Sequence, residues 1–220
     1  MGTITRSFAN NITTSGVLLP ASLTNNSIAN VTAYNASVST GGMVLLSSQT
    51  ARNSASISFT TCIDSTYKEY QFWFVDINPA TDDVQFQFNL STDSGSNYNV
   101  TKTTSDFASF HNEGGTIADL AYADGFDLAQ STSFATIASG IGNASKKCVA
   151  GSMQLFNPSS TTYVKHFISR ASRISFTSGT DFEADYFLAG YGNTTSAVNA
   201  IQFKMSSGNF DGDILMFGIK

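Results

Sequence analysis

From Met43 onward, apolar and β-branched runs recur about every 10 to 15 residues, separated by Gly, Asn, Asp and Ser. The runs fall at 43–47, 55–62, 67–77, 84–90, 97–103, 148–156, 163–170, 184–191, 198–205 and 213–219. Short runs divided by turn residues predict strands, because helices would repeat their apolar positions every three and four residues. In Tyr67 to Ile77, one face carries Tyr70, Phe72 and Phe74, and the other carries Glu69, Gln71, Trp73, Val75 and Ile77. That run reads as a central strand, buried on both sides near its end. Val84, Phe86, Phe88 and Leu90 alternate with Gln85, Gln87 and Asn89, one face on a core and one on a polar surround. Between these two runs, Asn78-Pro79-Ala80-Thr81-Asp82-Asp83 has the chemistry of a tight bend and predicts a hairpin. Asp93-Ser94-Gly95-Ser96-Asn97 predicts a second turn.

The last run sets Ile214, Met216 and Gly218 against Leu215, Phe217 and Ile219. A strand apolar on both faces belongs inside a sandwich or against another subunit. Asn112 to Asn143 departs from the pattern: Gly, Ala and Asp dominate, which suggests a long connection with a helical turn near Ile117 to Tyr122. No internal repeat is visible. About ten short antiparallel strands predict an all-β fold, an antiparallel β-sandwich with jelly-roll-like connections.

Composition agrees with this class. Ser, Thr and Asn number 31, 25 and 17 of 220 residues, while charged residues are only 12%. Ser, Thr and Asn compete with a helical backbone, whereas Thr and aromatics suit pleated surfaces. With 18 Phe and 8 Tyr there is ample material for a core, so the body is not disordered. Residues 1–40 differ: from Thr3 to Thr40 there is one charge, Arg6, and one short apolar patch, Val17-Leu18-Leu19-Pro20. Such a segment buries too little to offset its own ordering entropy, and it is expected to be an attachment arm that docks on another protein. Gly41-Gly42 marks the expected entry to a β-sandwich domain over residues 41–220.

Candidate chemistry is sparse. A net charge of −5 with 11 scattered Lys and Arg argues against nucleic acid as a partner. Nothing approaches a membrane span of about 18 apolar residues, and Met1 to Val17 lacks the pattern of a secretory signal, so synthesis in the cytoplasm is expected. Without that signal, the eight Asn-x-Ser/Thr sequons read as by-products of composition. Cys62 and Cys148 lack close-spaced partners and are expected to be small buried residues. His111 is read as a loop residue able to pair with Glu113, and His166 as a structural strand residue. Asp181, Glu183 and Asp185 alternate and would share a face, as an acid pair or calcium ligands; the preferred reading is a solvated strand edge that repels pairing. Asp211-Gly212-Asp213 reads as a turn. Trp73, Tyr98, Tyr122 and Tyr163 are candidates for stacking on a sugar. No catalytic, cofactor-binding or metal-binding residue is assigned.

Several segments carry a resemblance. They are Ser65 to Phe72, Ile77 to Asp83, Ser91 to Tyr98, Phe156 to Lys165, Ala189 to Ala197, and the closing Met205 to Lys220. Together they resemble a family of virion structural proteins of tailed phages, of the cyanophage and marine-phage type, over about residues 43 to 220. The resemblance implies a non-enzymatic β-sandwich on the particle surface, with capsid decoration as the leading role and a tail fibre or appendage that binds host glycan as the alternative. The partners it implies are further copies of the chain, as a homotrimer, and a major capsid or tail protein. No cofactor and no membrane insertion are expected.

Overall fold

The computed structural model describes residues 42–175 and 181–219. The arm assigned to residues 1–40 lies outside the described residues, and no described residue is helical. Among the described residues, twelve strands build two antiparallel sheets: β1 Met43–Ser54, β2 Ser56–Phe59, β3 Glu69–Pro79, β4 Val84–Ser91, β5 Lys102–Asn112, β6 Ala118–Tyr122, β7 Ala135–Ile141, β8 Val149–Phe156, β9 Lys165–Ile174, β10 Phe182–Gly192, β11 Ala200–Met205 and β12 Phe210–Ile219. The large sheet has the order β1-β12-β3-β8-β9-β10-β5-β6, and the small one β2-β11-β4-β7.

This order is a jelly roll with an addition. The chain passes from one sheet to the other at β1-β2, β2-β3, β3-β4, β4-β5, β6-β7, β7-β8, β10-β11 and β11-β12, so that β1-β12-β3-β8 faces β2-β11-β4-β7. First and last strands are neighbours, as in two wrapped Greek keys. Two inserted hairpins, β5-β6 and β9-β10, widen the large sheet beyond β8.

The sandwich therefore agrees with the pattern of the sequence, but several local readings do not. The bend at residues 78–83 joins no hairpin: β3 lies in the large sheet and β4 in the small one. Its backbone bonds go outward, Ala80 N to Asn209 O at 2.8 Å and Asp83 N to Ile141 O at 2.9 Å, so the turn arches across the sandwich. Ile77 belongs to the same core face as Phe74, because the register slips between them where Asp76 takes a φ of 50°. The slip has a partner in β12, where Gly212 has a φ of 131° and an added Cβ would lie 2.7 Å from Asp76 O. A paired bulge of this kind inverts an alternation that the sequence alone reads straight through. Instead of a helical turn, residues 118–122 form the edge strand β6, and the run expected from residue 97 becomes a strand only at Lys102. The turn at residues 93–97 is present, with Ser91 Oγ, Asn97 N and Asn97 Nδ2 all donating to the Asp93 carboxylate.

The core between the sheets is aromatic. Phe203 of β11 lies 5.3 to 6.4 Å, centroid to centroid, from Phe59, Phe72, Phe74, Phe86 and Phe88, and all of these side chains are buried. Most of these pairs are tilted or edge-to-face, as ring quadrupoles prefer. The inserted strands differ: on the same side of the sheet they bury Lys102, Thr104, Asp106, Lys165, Ser169 and Arg173.

Candidate functional site

The small sheet covers one face of the large sheet. No described residue covers the opposite face, whose composition follows from the register. Directly opposed residues share a face, so one row runs across all eight strands: Ser48, Leu215, Trp73, Ser152, Arg170, Phe187, Phe107 and Tyr122. The adjacent row is Leu45, Phe217, Gln71, Gln154, Ile168, Ala189 and Ser105. Of the ten large hydrophobic residues exposed among the described residues, only Ile117 and Tyr163 lie off this face; Met43, Leu45, Trp73, Val75, Phe107, Leu120, Tyr122 and Ile168 lie on it.

Two apolar regions result, separated by the short or polar side chains of β8. On β1, β12 and β3, Trp73 and Phe217 pack with ring centroids 4.8 Å apart, flanked by Leu45, Leu215 and Val75, and make a ridge. On β9, β10 and β5 the same face is hollowed. Ala189 and Ser105 form a low floor, with His166 and Tyr191 on one side and Arg170, Phe187 and Phe107 on the other. Two contiguous hollows of about 510 and 330 Å³ share Ser105, Ile168 and Ala189. Phe107 and Phe187 stack with ring planes 5° apart at 4.8 Å, and the Arg170 guanidinium lies 5.0 Å from the Phe187 centroid.

The Arg170 charge beside the hollow is already paired. Arg170 Nε donates to both oxygens of Asp185 at 3.1 and 2.9 Å, and Nη2 donates at 2.5 Å. The Asp185 carboxylate accordingly raises the Arg170 pKa further. Glu183 accepts from Ser172 Oγ at 3.0 Å, while Asp181 pairs with Lys146 at 2.6 Å and Lys147 at 2.9 Å. The three alternating carboxylates thus have separate partners. They also do not guard an edge, since β10 runs between β9 and β5. Asp211 and Asp213 accept from Asn53 N at 2.6 Å and Thr50 Oγ1 at 2.5 Å, which ties β12 to β1.

The remaining candidates are scattered. His111 is an exposed residue of β5, opposite Glu183 in the register. His166 is exposed and its ring lies 6.1 Å from that of Tyr191, so it lines the hollow. Cys62 is exposed with a φ of 65° and Cys148 is half-buried; both are free thiols, so the expectation of two buried residues fails. Trp73 and Tyr122 share a row but stand five strands apart, about 24 Å at the usual strand spacing. Tyr98 and Tyr163 belong to connections elsewhere, so the four aromatics form no single platform. The hollow built by His166, Ile168, Phe187, Phe107 and Tyr191 was missed at the level of sequence. Its signal was there: 163–170 and 184–191 both carry large side chains at alternate positions that face away from the core.

Beneath the hollowed half, the buried side carries titratable groups. Asp106 is fully buried and neither carboxyl oxygen has a hydrogen-bond partner; burial first and the Asp127 charge second push its pKa up to about 7. Lys102 is also fully buried, donating to Asn89 Oδ1 at 2.5 Å and Val100 O at 2.8 Å, and burial lowers its pKa to about 7. Lys165 donates to the carbonyls of Ser160, Tyr163 and Thr194 at 2.7, 2.7 and 3.2 Å, stapling two connections together. No group of three or more His, Cys, Asp or Glu able to hold a metal ion occurs among the described residues. No helix of the described residues is long and apolar enough to cross a membrane. Comparison with family models, curated proteins and solved structures returned no match.

Proposed function

We propose that this chain is a non-enzymatic structural protein on the surface of a tailed-phage particle, acting first as a capsid decoration and present in several copies, with a homotrimer as the expected unit. The observation that carries the reading is the face of the large sheet that no described residue covers, where eight of the ten large hydrophobic residues exposed among the described residues collect. Monomeric soluble proteins rarely expose contiguous apolar areas beyond a few hundred Å², and larger ones mark surfaces for association. Double-sheet jelly rolls recur in viral capsid and lectin domains, which supports the reading at the level of fold analogy. Low charge makes repeated contacts less sensitive to salt. Residues 1–40 dock on a capsid or tail protein in this reading. Immunogold electron microscopy of particles with an antibody against residues 43–220 tests it: label over the heads is expected, and unlabelled particles refute it. Deletion of residues 2–40 is expected to abolish incorporation.

A second reading, a tail appendage that binds host glycan, draws on the hollow between His166 and Tyr191, whose floor and rim carry the hydroxyls of Thr103 and Ser105. Label confined to tails, with glycan-array binding lost in Tyr191→Ala, would put it first. An array with no signal would remove it.

A further inference from the structure

We infer that the uncovered face of the large sheet is covered by a second copy of this chain, the Trp73–Phe217 ridge of one copy seating in the Ala189–Ser105 hollow of the next. The inference deepens the reading above by naming the surface, and rests on it only for the presence of several copies.

Three observations choose this occupant. The first is size. Eight strands about 4.8 Å apart span about 34 Å, and the six steps from Glu69 to Val75 span about 20 Å, giving a face of about 700 Å². A stable interface takes about 800 Å² from each partner, so a whole second sheet face is the right order of cover. The second is shape. One face carries both a ridge, on β12 and β3, and a hollow, on β9, β10 and β5, with the low side chains Ala150 and Ser152 of β8 between them. A surface that holds a feature and its receptacle is self-complementary. It can close as a two-fold pair, where each ridge fills the other hollow, or as a three-fold ring. The third is charge. The cation beside the hollow, Arg170, is already neutralised by Asp185 and lies over Phe187, so an apolar ridge can cover it without stranding a charge. A strongly acidic partner would find the Arg170 charge already taken by Asp185.

The chain carries its own reporter, since Trp73 is its single tryptophan, sits on the ridge and is 40% exposed. The full chain would be examined by light scattering and sedimentation at about 1 and about 100 μM, which brackets a micromolar contact, with tryptophan emission recorded at both. A mass of two or three chains at the higher concentration is expected, with emission shifting to the blue as the oligomer forms. Ala189→Arg fills the hollow and Val75→Arg charges the ridge, both at exposed positions. Each is expected to give a single-chain mass with red-shifted emission and an unchanged far-UV spectrum. Tyr163→Ala, exposed but off this face, is expected to keep the mass. A single chain at every concentration overturns the inference, as does an oligomer that neither arginine variant disturbs, or one lost only on deletion of residues 2–40. An oligomer broken by Ala189→Arg, together with unlabelled particles, would retain this interface and remove the virion reading. Labelled particles with a monomeric chain would do the reverse.

Discussion

The two halves of the large sheet are built on the same backbone plan but bury different chemistry. Beneath β1, β12, β3 and β8 lies a dry aromatic layer centred on Phe203, with the small sheet above it. Beneath β9, β10, β5 and β6 the same side of the sheet adds Lys102, Asp106, Lys165 and Arg173 to an apolar share of Phe167, Ala171, Tyr186 and Leu188. The difference teaches where stability and where pH sensitivity reside. Apolar burial is nearly independent of pH, whereas a buried charge couples folding to protons.

The strongest challenge to this division is Phe203→Ala. Truncating a ring that meets five others leaves a cavity that a two-sheet core cannot close, and a loss of about 3–5 kcal/mol is expected in denaturant unfolding. A loss below about 1 kcal/mol would show that the aromatic layer is not the centre of stability.

Next in size are the two titrating groups of β5. Asp106 rises from 3.8 to about 7 on folding, so between these values the unfolded chain has released a proton that the native chain retains, and stability falls as pH rises. Lys102 falls from 10.5 to about 7, so between 7 and 10.5 the unfolded chain holds the proton and stability rises with pH. Together they place a minimum of the melting temperature near pH 7, where most proteins are near their maximum. Asp106→Asn is expected to remove the acid limb and stabilise the chain at pH 8, on the order of 1–4 kcal/mol, with little effect at pH 4. Lys102→Met is expected to flatten the alkaline limb. A melting temperature flat from pH 4 to 10 would refute the assignment of either group to a dry site.

Smaller effects sharpen the boundary between the halves. Tyr186 and Ser139 share a hydrogen bond of 2.7 Å where β7 of the small sheet meets β10. Tyr186→Phe is expected to cost about 0.5–1.5 kcal/mol, read as a shift of the denaturant midpoint at unchanged slope. Least of all, Arg170→Ala is expected to cost under about 1 kcal/mol in the isolated chain, because the Arg170 side chain of the pair is largely exposed.

Particular residues show how much could be read in advance. The strand runs, the two-sheet class and the turn at Asp93 were legible because alternation and turn chemistry are local properties. The candidate face was half legible: the doubly apolar final strand pointed to a sandwich interior or a subunit contact, whereas Trp73 read as the buried side of a central strand, and Phe107, Ile168 and Phe187 did not stand out. A single strand cannot show which of its faces is covered. The same limit explains the bend at residues 78–83, whose composition suits a hairpin and an arch equally.

What the sequence determined by itself is therefore the all-β class, the places where strands start and stop, and a core rich in Phe, since period and turn residues act over a few positions. Pairing decided the rest. Which strands became neighbours, the paired bulge at Asp76 and Gly212 that returns Ile77 to the core, the insertion of β5-β6 and β9-β10, and the gathering of one ridge and one hollow on a single open face all depend on residues as far apart in sequence as Met43 and Ile219. Only closure of the sheet brings them together, because the free energy of a β-ladder lies in contacts that the linear order does not specify.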